Sequence, residues 1–385
     1  MTYARARLWL GMSGMASLIG LTLLALLLRL PALLPTQPTH FSLELQSLLL
    51  VALVYALIQL PFDLFGAAIL PHEYGDNPPA FLDFWLKWGR GVAVQSVIFV
   101  LAALVLMFVG RSLSFLPFVF TAGLLMFLLV LVQKNVAQWV AGLPLVSHDL
   151  TPQAAQLDQW GLNLPDILVV ESETRAFTGG IVGLPGSDEV IVPAGWFRDL
   201  SPDVLAFHLA RRAEAIQAGG RRRGVWVALI LNLIGLVLTS ILLADRIHLG
   251  SVSGVVTIGL GMTVWSFIAI VAMARPTRAA IHTLDRYLGV LGLETSQVET
   301  ALSALEDRQG DEAATTYALL GESYDTPTVP ARLAALGESG FGTDRTAWHA
   351  GRTLLYLSWV GMGFLGRALP AQLGRPELWA LPPVE

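Results

Sequence analysis

Six long segments without a charged residue constrain the fold of this chain more than any other feature. They run Leu8–Leu28, Leu45–Phe62, Gly91–Gly110, Ser112–Val132, Gly224–Ala244 and Gly254–Ala274. A helix needs about 20 mostly apolar residues to cross the hydrocarbon core of a bilayer. The sequence therefore predicts a polytopic membrane helix bundle with six spans, and the lipid bilayer is its first expected partner.

The composition excludes several classes of function. Hydrophobic residues make up 54% of the 385 positions and charged residues 14%, whereas soluble domains carry roughly a quarter of charged residues. Cysteine is absent, which rules out disulfides, thiolate metal sites and a cysteine nucleophile. The formal net charge of −5 provides no basic surface for nucleic acid, so we expect no nucleic-acid partner.

The distribution of basic residues predicts the orientation, because loops on the cytoplasmic side carry more Lys and Arg. With the N-terminus inside, three basic residues near span ends face outward: Arg29, Arg111 and Arg246. Ten face the cytoplasm, namely Arg5, Arg7, Lys87, Arg90, Lys134, Arg221, Arg222, Arg223, Arg275 and Arg278. We therefore expect both termini and both large non-membrane parts on the cytoplasmic side.

This reading divides the chain into four parts. Residues 1–133 form an N-terminal membrane region of four spans with an interfacial loop at 66–90, which includes Pro71–Trp88. Residues 134–223 form a first cytoplasmic segment, residues 224–274 form two further spans, and residues 275–385 form a second cytoplasmic segment. A shorter apolar stretch, Thr353–Gly366, lies between two arginines and is too short for a span, so it predicts a buried or interfacial helix.

The cytoplasmic segments have a mixed α/β pattern. Short β-branched runs predict strands at Ile167–Val170, Ala176–Val182 and Glu189–Val192, and the glycines at 183 and 186 predict a hairpin tip between the last two. Ser201 before Pro202 predicts a helix from Pro202 to about Ala218. Another helix is expected to begin near Arg278.

These motifs, in this order, resemble the integral-membrane zinc endopeptidases of the CAAX prenyl protease and HtpX type. The matching motifs are Arg175-Ala176-Phe177-Thr178-Gly179-Gly180, Leu200-Ser201-Pro202-Asp203, Asp285-Arg286-Tyr287, and Thr326-Pro327 followed by Arg332. The resemblance implies a small cytoplasmic α+β zincin-like domain split around the last two spans. It also implies an integral protein of a bacterial cytoplasmic membrane.

The residues that would make such a protein a protease are replaced. In the family's register, the two zinc-binding histidines and the general base of H-E-x-x-H correspond to Arg211, Ala215 and Arg212, and the third ligand corresponds to Ile281. Arginine stays protonated and offers no lone pair to a metal. We therefore expect a pseudoenzyme, with no catalytic residue, no metal and no cofactor.

Some polar residues near these positions have simpler explanations. His208 is expected to be a helix-face histidine lining the old cleft, although a weak metal site with His282 and Asp285 is conceivable. Glu214 is expected to be a surface or ion-pairing acid. Asp63 and Asp245 lie at span ends, where water can solvate them.

Three hypotheses about function remain. The first is a non-catalytic interaction or regulatory module with an unknown protein or peptide partner. The second is an active zinc endopeptidase with unconventional ligands, which would restore zinc as a cofactor. The third is a transporter, which the absence of a charge in mid-membrane disfavours.

The resemblance leads to one structural prediction. The aspartate of the family's later motif orients the first zinc-binding histidine, and here Asp285 remains while that histidine is replaced by Arg211. A buried carboxylate needs a partner, and a guanidinium offers two parallel donors. We expect Arg211, or otherwise Arg212, to form an ion pair with Asp285. His208, Arg286 and Arg332 are the other candidate residues of the cleft.

Overall fold

The structure is a computed structural model that describes residues 2–74, 80–172, 174–184, 186–310, 312–321, 326–336, 346–355 and 367–381. The chain is mainly helical. In the first half, the elements are α1 Tyr3–Leu27, α2 Phe41–Leu64, α3 Leu70–Glu73, α4 Phe81–Ser112, α5 Phe115–Leu131, α6 Gln133–Ala141, β1 Leu145–Val146, α7 Thr151–Gln159, β2 Asp166–Val170, β3 Gly180–Val182 and β4 Glu189–Pro193. In the second half they are α8 Gly195–Asp199, α9 Pro202–Gln217, α10 Gly220–Leu242, α11 Val252–Val290, α12 Thr295–Gln309, α13 Glu312–Leu320, α14 Val329–Leu336 and α15 Thr346–Leu355.

Five helices are long and apolar enough to cross a membrane. They are α1, the helical run Phe41–Glu73 that contains α2 and α3, α4, α10 and the helical run Val252–Gly289 of α11. The pair α5 and α6 passes the same test together but bends by 67° between its two parts, so it could form a sixth span. Large apolar side chains on these helices point outward, including Leu101, Phe120 and Ile241. Exposed apolar surface of this extent indicates a lipid environment.

The three arginines that were expected on the outer side lie at one end of the bundle. Arg111 forms an ion pair with Glu44 at 2.6 Å, between the end of α4 and the start of α2. Arg246 donates a hydrogen bond to the carbonyl of Leu26 at the end of α1, and Arg29 lies 3.9 Å from Asp245. The small sheet and the start of α1 lie at the opposite end, where Arg7 contacts the carbonyl of Gly66. The grouping matches the prediction, whereas the side of the membrane stays a prediction.

Two segments are more helical than the sequence suggested. The helix expected to begin near Arg278 is the continuation of α11, which runs 39 residues with Pro276 inside it. The expected interfacial loop at 66–90 is also mostly helix, because α2 continues through a π-helical turn at Phe65–Ile69 into α3. Residues 81–90 form the first ten residues of α4, and residues 75–79 of this expected loop lie outside the described residues. Packing of the apolar faces therefore overrides the local proline signals.

The sheet has four strands in the order β1-β2-β4-β3. Strands β2 and β4 are parallel, with Leu168 opposite Ile191, and β3 returns antiparallel to β4 with Ile181 opposite Val190. The predicted hairpin is confirmed, although its first strand begins at Gly180 rather than Ala176. Strand β1 was not predicted, because two exposed residues give no periodic signal.

The core around the sheet packs α9 between the sheet and the later helices. Leu205 and Leu209 of α9 join Trp196 after the sheet and Leu302 of α12 in one buried apolar cluster. The end of α11 enters the same cluster through Leu288. The two segments that flank α10 and α11 therefore form one core. The predicted helix Thr353–Gly366 begins within α15, and its remainder from 356 lies outside the described residues.

Candidate functional site

Helix α9 positions three of the candidate residues, His208, Arg211 and Arg212. Ser201 is its N-cap and accepts a hydrogen bond from the backbone N–H of Val204 at 3.4 Å, with Pro202 at the first helical position. The helix is buried from Val204 to Glu214. His208, Arg211 and Arg212 therefore project into the protein, since residues three and four apart share a helix face.

The predicted ion pair with Asp285 is present and has a second arginine. Arg211 Nε lies 3.1 Å from Asp285 Oδ1. Arg332 of α14 donates from Nε to Oδ2 and from Nη2 to Oδ1, both at 2.7 Å. The exposed fractions of the three side chains are 3%, 5% and 0% for Arg211, Arg332 and Asp285. We call this group the Asp285 cluster.

The Asp285 cluster connects three helices from distant parts of the sequence. Arg211 comes from α9, Asp285 from α11 and Arg332 from α14. The planar fork of Arg332 matches the two carboxylate oxygens, which is the strongest geometry of a carboxylate–guanidinium pair. Guanidinium groups offer no lone pair to a metal, so the arrangement suits a structural link between the three helices more than the binding of a metal cation.

His208 occupies a core position. Its Nε2 lies 3.1 Å from the carbonyl oxygen of Ala301 in α12, and its ring centroid lies 5.2 Å from that of Trp196. The side chain is completely buried. A histidine that contacts a backbone carbonyl through one nitrogen and packs on a tryptophan is part of the core, whereas the sequence predicted a residue lining a cleft.

Arg212 connects α9 to the sheet. It donates hydrogen bonds to the carbonyl oxygens of Ile191 in β4 at 3.1 Å and of Thr178 before β3 at 2.5 Å. Its guanidinium carbon lies 4.8 Å from the Trp196 ring centroid, within the range of a cation–π interaction. Arg212 thus links α9 to the backbone of the hairpin.

The other replaced positions offer no ligand atoms. Ala215 is half-buried on α9 and Ile281 is 2% exposed on α11. Arg286 is half-buried next to Asp285. Within the part of the chain that the structure describes, no group of three His, Cys, Asp or Glu side chains could hold a metal ion.

Glu214 differs from its prediction as a surface acid. Its side chain is 8% exposed and makes a hydrogen bond with Tyr287 of α11. Burial raises the pKa of the Glu214 carboxyl, and the hydrogen bond with Tyr287 opposes this shift. The hydrogen bond between Glu214 and Tyr287 is therefore a further contact between α9 and α11, about one helical turn after Arg211.

Asp63 is a second buried carboxylate. The sequence predicted a solvated residue at a span end, and this prediction is wrong. Asp63 is completely buried. Its Oδ2 accepts hydrogen bonds from Arg367 Nη2 at 2.7 Å and Trp88 Nε1 at 2.9 Å, and its Oδ1 accepts one from the backbone of Gly374 at 2.9 Å. We call these residues the Asp63 cluster.

The Asp63 cluster fastens residues 367–381 to the membrane helices. The Arg367 guanidinium also stacks on Trp379 at 4.2 Å, and Arg7 of α1 donates to the carbonyls of Ala371 and Leu373. Gly374 has a φ of +68°, and a Cβ there would lie 2.3 Å from the Asp63 carbonyl oxygen, so only glycine fits. Asp63 and Arg367 are 304 positions apart, so no local sequence pattern could have predicted their pairing.

Comparison with known proteins provides no family assignment. No protein-family model matches the sequence, and no curated protein matches it.

Proposed function

We propose that this chain is a non-catalytic membrane relative of the CAAX prenyl protease and HtpX type of endopeptidase. In this proposal it acts as an interaction or regulatory module for a protein or peptide partner. The observation that carries it is the Asp285 cluster: an arginine stands in the first histidine position of the family's register and contacts the aspartate that would have oriented that histidine.

The order of the elements supports the same proposal. A strand hairpin precedes a helix capped by Ser201, two long apolar helices follow, and the second of them carries Asp285 beyond its apolar part. Arg332 follows Thr326-Pro327 and reaches the same carboxylate. Each motif is short, so their combination in one buried cluster is the stronger argument.

The chemistry of the cluster argues against proteolysis. A zinc endopeptidase needs a bound metal, an activated water and a general base near the scissile carbonyl. Arg211 and Arg212 are cations engaged with Asp285 and with backbone carbonyls. A metal cation in the same space would meet two positive charges.

Metal analysis of the purified protein, together with cleavage assays on casein and a prenylated peptide, tests the proposal. We expect less than about 0.1 equivalent of zinc and no cleavage, since none of the family's ligands is available. Zinc near one equivalent, lost together with cleavage on chelation, would instead establish an active enzyme. His208→Ala and the exposed control His148→Ala then show whether any metal depends on the buried histidine.

The proposed topology places the sheet in the cytoplasm, with six spans and both termini inside. Ser187 is exposed in the turn before β4, and the wild-type chain contains no cysteine, so a Ser187→Cys variant carries a single reporter. We expect a membrane-impermeant thiol reagent to label it in inverted vesicles but not in intact cells. Labelling of intact cells would reverse the orientation.

A further inference from the structure

A polar stripe on α2 runs into the interior of the membrane bundle. Tyr55, Gln59 and Asp63 are spaced by four residues and share one helix face. Gln59 and Asp63 are completely buried. The guanidinium of Arg367 lies 5.3 Å from the Tyr55 ring centroid. The stripe thus extends the Asp63 cluster by two helical turns into the apolar region.

Gln59 differs from Asp63 in its hydrogen bonding. Asp63 accepts three hydrogen bonds, whereas neither the amide oxygen nor the amide nitrogen of Gln59 has a partner among the described residues. A buried primary amide offers two donors and an acceptor. Leaving these groups unbonded in an apolar interior is costly, and buried polar groups in proteins nearly always find a protein or water partner.

Two further buried side chains, one on α11 and one in the segment fastened by Asp63, have the same property. Ser266 of α11 is completely buried, and Gln372 in the segment fastened by Asp63 is 1% exposed. The Ser266 hydroxyl and both amide atoms of Gln372 have no hydrogen-bond partner in the part of the chain that the structure describes.

The packing of α2 against α11 places Ser266 at the depth of Gln59. Leu48 of α2 and Val255 of α11 belong to the same apolar cluster. Gln59 follows Leu48 by eleven residues and Ser266 follows Val255 by eleven, and both helices run from the same end of the bundle. Eleven residues are three helical turns, so both side chains return to the faces on which Leu48 and Val255 pack.

We infer that Gln59, Ser266, Gln372 and the Asp63–Arg367 pair line an internal hydrated site that binds a cluster of water molecules inside the bundle. Asp63 and Arg367 are in direct contact and balance each other's charge. Amides and a hydroxyl provide both donors and acceptors, which suits water, a small neutral ligand with the same capacity. The site is separate from the Asp285 cluster and does not depend on the proposed function.

Thiol accessibility tests this inference in the full-length protein, because the wild-type chain lacks cysteine. N-ethylmaleimide reacts with the thiolate, which forms readily only where water solvates it. We expect the Gln59→Cys variant to react at least about tenfold faster than the matched control Leu48→Cys. Leu48 lies on the same face of α2 as the polar stripe, is also completely buried and belongs to an apolar cluster. Equal and negligible rates for the two variants would overturn the inference.

A second measurement covers the possibility that the cysteine variant fails to fold. Leucine is close to glutamine in volume but cannot hydrogen-bond. If water satisfies the Gln59 amide, Gln59→Leu loses those bonds and its midpoint of thermal unfolding stays equal to or falls below that of the wild type. If the site is dry, the substitution removes an unsatisfied amide, and a clear rise of the midpoint would reject the hydrated site.

Discussion

The Asp285 and Asp63 clusters use the same chemistry in two different settings. Each carboxylate is completely buried and accepts a hydrogen bond from an arginine at 2.7 Å. Asp285 faces two guanidinium groups, from α9 and α14. Asp63 faces one guanidinium, and an indole N–H and a backbone N–H provide its other two hydrogen bonds. Two guanidinium groups therefore hold the first carboxylate, whereas one guanidinium and two neutral donors hold the second.

The difference suggests different roles. One guanidinium and two neutral donors satisfy Asp63, and the Arg367 guanidinium packs on aromatic rings, so this cluster holds residues 367–381 against the membrane helices. The Asp285 cluster instead joins α9, α11 and α14, because two guanidinium groups from different helices reach one carboxylate.

Removing a buried carboxylate has the largest expected effect on stability, and we expect the loss to differ between the two clusters. Asp285→Ala leaves two buried guanidinium groups facing each other and should destabilise the protein by about 3–5 kcal/mol. Asp63→Ala leaves a single guanidinium that retains its contacts with Trp379 and Tyr55, and should cost about 2–3 kcal/mol. Thermal unfolding of the detergent-purified protein measures both.

The exposed Asp158 provides the control for these variants. Asp158→Ala should lie within about 0.5 kcal/mol of the wild type. A larger loss for Asp63→Ala than for Asp285→Ala would contradict the charge argument.

The two arginines of the Asp285 cluster should contribute unequally. Arg332→Met removes both well-aligned hydrogen bonds to the carboxylate and should cost about 2–3 kcal/mol. Arg211→Met leaves those two bonds intact and keeps much of the volume of the side chain, so we expect a smaller loss of about 1 kcal/mol. Unfolding midpoints of the two variants give the comparison. Equal losses would show that Arg211 is an essential part of the link.

Local signals predicted the region around the sheet better than the membrane helices. Ser201 and Pro202 predicted the start of α9 and glycines predicted the hairpin, whereas the pairing of Arg211 with Asp285 was implied by the family resemblance. The continuity of α11 through Pro276 was missed, because a proline after an arginine locally favours a boundary. Arg332 was named as a cleft candidate, but its two hydrogen bonds to Asp285 were not foreseen.

The Asp63 cluster shows why the rest could not be predicted. Asp63 and Arg367 are each ordinary residues at the edge of an apolar stretch, where water could have solvated them. Only the folded chain brings them together across 304 positions, and the need for glycine at 374 follows from the close approach of the Asp63 backbone. Nothing in a single sequence reports such a contact.

The smallest expected effect concerns Glu214, a buried carboxyl that is hydrogen-bonded to the phenol of Tyr287. Burial raises its pKa above the ordinary glutamate value of 4.5, so the folded state holds the proton more tightly than the unfolded state. The resulting stabilisation is complete below the unfolded pKa and is lost as the pH rises through the folded pKa. Glu214→Gln keeps a neutral hydrogen-bonding side chain at all pH values and should remove this dependence. We expect the unfolding midpoint of the wild type to fall relative to that of Glu214→Gln as the pH rises above 4.5. A constant difference between the two midpoints over that range would contradict the raised pKa. It would mean that Glu214 is already ionised in the folded protein.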